Sequence, residues 1–302
     1  MWPGFGDIGC IRALWYKPTN ARARPIRSAD CAGRPLSFLQ LVVLTIVQGI
    51  TEFLPISSSG HLVIVPWIAD WPDQGLELDV AVHVGTLAAV MIYFWRDLWR
   101  MGAGLAGGKR PERKAGRALV WRILVSVPPV IIVGGLVAWA DPAFFRSVEV
   151  IAWATAGFGV VLWIADRVGM TVRRIEHMTY SSALIIGLAQ ALAIIPGTSR
   201  SGITMTAARM MGFERVDAAR FSMLMSIPVI IAAGAVAGYR LAVAETGISF
   251  GEAALAAGLS CITALLAIAG LMALIRRIGF GPFALYRLAL GALLLVWLYA
   301  FN

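Results

Sequence analysis

The amino-acid sequence predicts an all-α integral membrane protein with about six transmembrane helices and two re-entrant helical hairpins related as inverted repeats. The first observation is composition, because 59% of the 302 residues are hydrophobic and only 14% are charged, whereas soluble domains carry about 25% charged residues. The second is that apolar residues gather in runs near the length of about 20 residues that crosses a bilayer. The third is a pair of matching polar stretches inside apolar sequence, which are costly in lipid unless they line a site.

Six apolar segments are long enough, or nearly long enough, to cross a membrane as helices. They cover roughly residues 78–95, 118–140, 148–166, 221–239, 251–275 and 283–300. Residues 1–35 differ, since they contain six basic residues and no sustained apolar run. We expect a basic, disordered extension or a mis-called start there, and a single polytopic membrane domain over residues 36–302.

Two further apolar regions are each interrupted by a polar, helix-breaking stretch. Each half is too short to cross a bilayer, which indicates hairpins that enter and leave on one face. The first region covers residues 38–54, breaks at 55–60 and resumes at 61–69, and the second covers 181–195, breaks at 196–202 and resumes at 203–212. With the helices that follow them, these hairpins predict one repeat over about residues 38–140 and a second over about residues 181–275.

Basic residues in short loops predict the orientation, because such residues concentrate on the cytoplasmic side. The segment 96–117 holds seven Lys and Arg residues, and basic residues near 167–174, 215–220 and 276–277 fall on the same side if the six spans are counted. The count is consistent only if the second hairpin returns to its own side and the first enters from the outer face. The net charge of +9 is therefore explained by these loops, and no nucleic-acid partner is expected.

The two polar stretches align with each other without a gap. Residues 48–60 read QGITEFLPISSSG and residues 190–202 read QALAIIPGTSRSG. Each serine-rich turn directly precedes a short predicted helix, whose free N–H groups and positive dipole end favour anions such as phosphate. The predicted phosphate-binding residues are Ser57, Ser59, Gly60, Ser199, Arg200, Ser201 and Gly202.

Charged residues at membrane depth are costly, and they usually mark functional sites. Arg200 suits bidentate binding of phosphate oxygens, and Glu52 is the matching acidic residue in the first stretch. Gln48 lies one helical turn before Glu52, so the two side chains could supply oxygen ligands to a hard divalent cation, Mg²⁺ or Ca²⁺. The alternative for both charges is a buried ion pair between Glu52 and Arg200.

Two histidines are candidates for proton transfer. His61 lies three residues after Ser58, so the two would share a helix face in a nucleophile-and-base arrangement. His83 follows Asp79 by one turn and is equally compatible with the same cavity or with packing. A packing role is the alternative for His61 as well.

The segment QGITEFLPISSSGH at residues 48–61 and the segment PGTSRSG at residues 196–202 resemble the two signature motifs of the bacitracin-resistance family of undecaprenyl-diphosphate phosphatases. The resemblance covers residues 36–302. It implies hydrolysis of undecaprenyl diphosphate to undecaprenyl phosphate and inorganic phosphate, which recycles the lipid carrier for peptidoglycan synthesis and confers bacitracin resistance. It also implies a multi-pass protein of the bacterial inner membrane, a divalent cation, and an active site open to the periplasm.

Carried over residue by residue, the resemblance implies that Glu52 is the essential carboxylate, Ser58 the nucleophile, His61 a catalytic partner and Arg200 a phosphate ligand. Gln48 stands where many members have Glu, which lowers the negative charge at that position. The expected partners are the lipid substrate and the bilayer, and a homodimer is left open.

A transporter or flippase for a lipid phosphate or another anion is the alternative function. Inverted repeats whose broken helices meet at the membrane midplane are also a transporter design. A phosphatase additionally needs a nucleophile and a proton carrier, for which Ser58, Glu52 and His61 are candidates. Release of inorganic phosphate by the purified protein would discriminate between the two functions.

Overall fold

The computed structural model describes residues 37–69, 71, 74–140, 147–243 and 249–300. The predicted extension at residues 1–35 lies outside these described residues. The described part of the chain forms twelve α-helices. They are α1 Phe38–Thr51, α2 Ser58–Ile68, α3 Gly75–Tyr93, α4 Trp95–Leu105, α5 Pro111–Ser126, α6 Pro128–Ala140, α7 Val148–Val168, α8 Tyr180–Ala191, α9 Arg200–Met210, α10 Arg215–Val243, α11 Phe250–Arg277 and α12 Gly281–Ala300.

Within the described residues, six helices are long and apolar enough to cross a membrane, which confirms the predicted multi-pass helical protein. They are Gly75–Tyr93, Pro111–Val137, Val148–Val168, Arg215–Tyr239, Phe250–Arg277 and Gly281–Ala300. The second of these spans combines α5 with most of α6. The helix is interrupted at Val127, because Pro128 and Pro129 cannot donate backbone hydrogen bonds to the preceding turn, although Val127 itself keeps right-handed helical dihedral angles.

The basic segment after the first span is more ordered than the sequence predicts. It contains α4, which packs against α5, whereas a loop is predicted for this segment. The helix presents Trp95 and Trp99 outward, while Asp97 is buried and paired with Arg220 of α10. This ion pair and the packing on α5 explain why a segment of low mean hydropathy folds as a helix.

Four shorter helices form two helical hairpins at the predicted places. Helix α1 packs against α2 and α11, and α8 packs against α9, α5 and α6. Helices α2 and α9 begin at Ser58 and Arg200, three residues earlier than predicted. The reason is that the preceding residues, Ser57 and Ser199, make the turn with positive φ angles of 74° and 69°.

The open ends of the two hairpins lie at different ends of the helix bundle. In the first hairpin, Leu41 and Leu62 pack with Leu78, near the start of α3. In the second, Arg209 at the end of α9 binds the carbonyl oxygen of Gly169, just after the end of α7. Contact between the two turns is therefore made inside the bundle. That the hairpins are re-entrant and form inverted repeats stays a prediction.

Polar contacts join the segments that are predicted to share the basic side. Asp166 at the end of α7 accepts hydrogen bonds from Arg215 at 2.6 Å and from the backbone N–H of Phe280 at 2.9 Å. Arg174 binds Glu214 at 3.0 Å. These contacts place the ends of α7, α9 and α11 and the starts of α10 and α12 at one end of the bundle, as the loop charges require.

Candidate active site

The two hairpin turns meet at a polar cavity of about 180 Å³. Its walls include the first residues of α2 and of α9, so two helix N-termini adjoin one space. Eight residues line the cavity: Glu52, Ser57, Ser58, Ser59, His83, Ala193, Ser199 and Arg200. A cavity lined by hydroxyls, helix N-termini and a guanidinium is suited to a phosphate group.

The two turns have the same local geometry. The hydroxyl of Ser57 accepts a hydrogen bond from the N–H of Gly60 at 3.4 Å, and that of Ser199 accepts one from the N–H of Gly202 at 3.2 Å. Both serines have positive φ angles, which are rare and strained for residues other than glycine. Strain maintained at two aligned positions beside one cavity is typical of a functional site.

Glu52 is the centre of the hydrogen-bond network in the cavity. Its Oε1 accepts a hydrogen bond from Arg200 Nη2 at 2.7 Å, and its Oε2 accepts one from Ser58 Oγ at 2.8 Å. Gln48 Nε2 donates to the same Oε2 at 2.8 Å. The ion pair that the sequence analysis gave as the alternative is therefore present, and the same carboxylate also contacts the candidate nucleophile.

His83 is part of the cavity wall. Its Nδ1 lies 2.6 Å from the carbonyl oxygen of Asp79, so Nδ1 carries the proton and donates it there. Its Nε2 is then an acceptor, 3.2 Å from Gln48 Nε2 and 3.9 Å from Glu52 Oε2. Of the two alternatives for this residue, the geometry favours the cavity.

His61 is directed away from Ser58. Its Nδ1 donates to the carbonyl oxygen of Ser57 at 2.7 Å, and its Nε2 accepts from the hydroxyl of Tyr286 at 2.6 Å. The two rings stack with centroids 5.7 Å apart. Residues three apart on a helix share a face, but here the Ser58 side chain turns toward Glu52, so no hydrogen bond joins it to His61 among the described residues. Glu52, and not the expected His61, is therefore the side chain that is placed to accept the Ser58 proton.

The predicted phosphate-binding residues separate into two groups. Ser57, Ser59, Ser199 and Arg200 line the cavity. The other three residues have structural contacts instead, and they are Gly60, Ser201 and Gly202. Ser201 Oγ donates to the carbonyl oxygen of Leu54 at 2.8 Å and so joins the two turns. A Cβ on Gly202 would lie 2.8 Å from Arg287 Nη1, whereas one on Gly60 would lie 3.5 Å from Ser57 Oγ.

Two residues of α12 contribute to the surroundings of the site and are absent from the sequence analysis. Tyr286 holds His61, and Arg287 contacts the backbone of both turns. A signal for Arg287 existed, since a charge inside an apolar span marks a functional residue by default. Tyr286 had no such signal, because tyrosines near span ends are common.

The side chains around the cavity offer few metal ligands in the absence of substrate. Among the described residues, no three His, Cys, Asp or Glu side chains are grouped as a metal site would require. Gln48 directs its amide nitrogen at Glu52, while its Oε1 is buried without a hydrogen-bond partner. Gln48 is fully buried and is not among the residues that line the cavity. The carboxylate of Glu52 therefore fits a cation that takes its remaining ligands from substrate phosphates, as Mg²⁺ commonly does.

The amino-acid sequence matches the family described as "Bacitracin resistance protein BacA" over residues 41–293. This chain belongs to the BacA family. The matched region contains every residue that lines the cavity, together with Arg287, and the resemblance inferred from the two motifs is confirmed.

Relatives of this BacA-family chain are similar over nearly their whole length. It is 49% identical over 266 residues to the undecaprenyl-diphosphatase of Maricaulis maris, covering 87% of this chain and 99% of that protein. It is 47% identical over 268 residues to undecaprenyl-diphosphatase 1 of Rhodospirillum rubrum, covering 86% and 95% respectively. With the undecaprenyl-diphosphatase of Roseobacter denitrificans the identity is 46% over 269 residues, covering 88% and 100%.

Proposed function

We propose that this protein hydrolyses undecaprenyl diphosphate to undecaprenyl phosphate and inorganic phosphate. Membership of the BacA family and the names of its relatives support this reaction. The observation that carries the proposal is the hydrogen bond of 2.8 Å from Ser58 Oγ to Glu52 Oε2, in a cavity that also contains Arg200. A hydroxyl paired with a carboxylate base is the arrangement of an activated nucleophile.

The reaction begins with attack of Ser58 Oγ on the terminal phosphorus atom. The bond from that phosphorus to the bridging oxygen breaks, undecaprenyl phosphate leaves, and the Ser58 proton passes to Glu52. Water then hydrolyses the phosphoserine, which releases inorganic phosphate and restores the serine. In the alternative path, a water molecule held by Glu52 attacks the terminal phosphorus directly and the serine hydroxyl only binds the phosphate.

Arg200 and the two helix N-termini stabilise the charge on the transferred phosphoryl group. Phosphoryl transfer depends mainly on positioning and electrostatic stabilisation, because charge is spread over the equatorial oxygens in the transition state. Arg200 uses Nη2 to bind Glu52, and its side chain is 17% exposed. Its remaining N–H groups are therefore available to a phosphate in the cavity.

A divalent cation, Mg²⁺ or Ca²⁺, is proposed to bind together with the diphosphate. Glu52 would be its protein ligand in the cavity, with substrate oxygens completing the set. Gln48 would join it only with its amide reversed from the orientation that donates to Glu52. When bound, such a cation supplies neutralisation of the negative diphosphate oxygens.

The site is proposed to open to the periplasm from the inner membrane of a bacterial cell. A polar path supports this orientation, because His83 in the cavity wall, Asp79 and Gln74 follow one another toward the start of α3, and Gln74 donates to Asp79 at 3.1 Å. The start of α3 lies at the opposite end from the basic segments, which favour the cytoplasm. The prenyl chain then lies in lipid, and only the headgroup enters the polar cavity.

Release of inorganic phosphate from undecaprenyl diphosphate by the purified protein in detergent tests this function. We expect turnover by the wild type, suppression by EDTA, recovery with added Mg²⁺ or Ca²⁺, and loss of turnover in Ser58→Ala. Ser181→Ala is the matched control, since this serine is exposed on α8 and remote from the cavity lining. Absence of phosphate release by folded wild type would contradict hydrolysis and favour transport, which sealed vesicles loaded with labelled lipid would then measure.

A further inference from the structure

Arg287 is a fully buried cation in the apolar span α12. All of its hydrogen bonds go to backbone carbonyl oxygens. Nε donates to Thr155 at 3.2 Å, Nη1 to Thr198 at 2.8 Å and to Pro55 at 3.4 Å, and Nη2 to Gly197 at 2.9 Å and to Ala154 at 3.4 Å. A guanidinium has five N–H donors, so these five carbonyls use its full capacity.

Among the described residues, no carboxylate lies close enough to Arg287 to neutralise its charge. No ion pair in the described part of the chain includes this residue, whereas the other fully buried arginine, Arg209, lies 3.6 Å from Asp166. A charge at membrane depth is costly to insert, even on the scales that give the smallest penalties. An apolar residue of similar size would avoid that cost, so the position of this charge requires a function.

Three of the five carbonyls that Arg287 binds come from the two turns beside the active site, and the other two belong to α7. Pro55 belongs to the turn before Ser58, and Gly197 and Thr198 belong to the turn before Arg200. In a trans peptide the N–H points away from the carbonyl of the same unit. Fixing the Thr198 carbonyl at 2.8 Å therefore directs the N–H of Ser199 away from Arg287, and Ser199 lines the cavity on the other side.

We propose that Arg287 is a positioning residue for phosphoryl transfer, a role that rests on the proposed function. It holds the two turns together by their backbone, so that the Ser199 N–H and the two helix N-termini face the transferred phosphoryl group. Its unneutralised charge adds to the positive potential that attracts a diphosphate. Arg287 does not itself touch the substrate, because it is fully buried and is not among the residues that line the cavity.

Gly202 leaves the space that the Arg287 guanidinium occupies beside the first turn of α9. A Cβ at this position would lie 2.8 Å from Arg287 Nη1, which is closer than real Cβ contacts. The first turn of α9 is therefore in direct contact with the guanidinium, and the absence of a side chain there is required for the five hydrogen bonds. Adding one methyl group at Gly202 displaces Arg287 without removing its charge.

Arg287→Lys is the main test, measured as kcat and KM for phosphate release by monodisperse protein in detergent. Lysine keeps the charge but has three donors at one atom, so at least two carbonyls lose their hydrogen-bond partner. The two turns are then no longer held by a single planar guanidinium group. We expect kcat to fall about 100-fold, as for loss of one transition-state donor, with KM nearly unchanged because the charge remains. Arg287→Met removes the charge as well, so we expect it both to lower kcat and to raise KM.

Arg209→Lys is the matched control, because Arg209 is equally buried and also binds backbone carbonyls. It lies nine residues along α9 from Arg200, about 13 Å at the helical rise, at the basic end of the bundle. We expect a lower thermal unfolding midpoint with kcat within threefold of the wild type. If Arg287→Lys likewise lowers only the unfolding midpoint and leaves kcat unchanged, the positioning role is refuted.

Gly202→Ala keeps the test decisive if Arg287→Lys does not fold. We expect its kcat to fall at least tenfold, whereas Gly258→Ala, which has nothing within 4 Å of the added methyl group, leaves kcat unchanged. Wild-type turnover combined with an unchanged kcat in either folded variant, Gly202→Ala or Arg287→Lys, overturns the role of Arg287 alone. Absence of phosphate release by the wild type overturns the proposed function, and with it this role.

Discussion

Substitution of Glu52 by glutamine tests the core of the proposed mechanism. The amide has nearly the same shape as the carboxylate, but it carries one donor and one acceptor group. Facing Arg200 Nη2, which now lies 2.7 Å from Oε1, the new side chain must keep its oxygen there. Its nitrogen then lies toward Ser58, whose hydroxyl changes from donor to acceptor, so the serine proton loses its base.

The expected loss in kcat is about 10²–10⁴-fold, the usual contribution of a positioned general base. Stability also falls, because Arg200 loses its charged partner. Breaking a buried ion pair costs up to about 3–5 kcal/mol, and the partial exposure of Arg200 lowers that figure here. Steady-state phosphate release and thermal unfolding in detergent measure the two effects, with Glu112→Gln on the exposed start of α5 as control. A kcat for Glu52→Gln within threefold of the wild type would refute the assignment of Glu52 as base.

The double variant Glu52→Gln with Arg200→Gln separates catalysis from stability. It removes both charges, so no buried guanidinium is left unpaired. We expect its unfolding midpoint to recover part of the loss in Glu52→Gln, while kcat stays at least as low as in Glu52→Gln. If the effects of the two single substitutions on the unfolding midpoint simply add up in the double variant, the ion pair of 2.7 Å between Glu52 and Arg200 is contradicted.

Three further predictions follow from single contacts. Acid quenching during turnover of substrate labelled at its terminal phosphate is expected to leave label on Ser58, and full turnover by Ser58→Ala would exclude a serine nucleophile. Tyr286→Phe removes the hydroxyl that binds His61 and should cost about 1 kcal/mol of stability but little kcat, since neither side chain lines the cavity; a tenfold loss of kcat would contradict this. Gly197→Ala places a Cβ 2.5 Å from the Ile151 carbonyl at a φ of +91°, so we expect little folded protein by size-exclusion chromatography, in contrast to Gly258→Ala, and a normal yield would show that the turn relaxes.

The membrane-spanning architecture could be predicted from sequence because it depends on local composition. Each span is an apolar run of sufficient length, and each broken helix is marked by a proline followed by serines and a glycine. The serines at 57 and 199 cap the helices that follow them, which is a contact within three residues. The exception is α4, whose helical state depends on packing against α5 and on the Asp97–Arg220 ion pair, and such distant contacts leave no local signal.

The composition of the site was also readable in part. Glu52 and Arg200 stand out because charges at membrane depth are rare, and the structure brings them to 2.7 Å. The hydrogen-bond partner of Ser58 could not be predicted from the sequence. Helical spacing placed His61 on the same face as Ser58, but spacing does not state which rotamer the serine adopts or which neighbour it meets.

By itself, the sequence determined that the chain crosses the membrane several times, that its helices break at two matched places, and which charged residues the membrane must accommodate. These properties follow from transfer of side chains and backbone between water and lipid, which acts on each segment separately. Only the tertiary structure decided that Glu52 rather than His61 contacts Ser58, that His83 lines the cavity, and that Arg287 joins the two turns. Those outcomes depend on which rotamers the side chains adopt and which helix faces meet, over separations that range from six residues for Glu52 and Ser58 to 232 residues for Pro55 and Arg287.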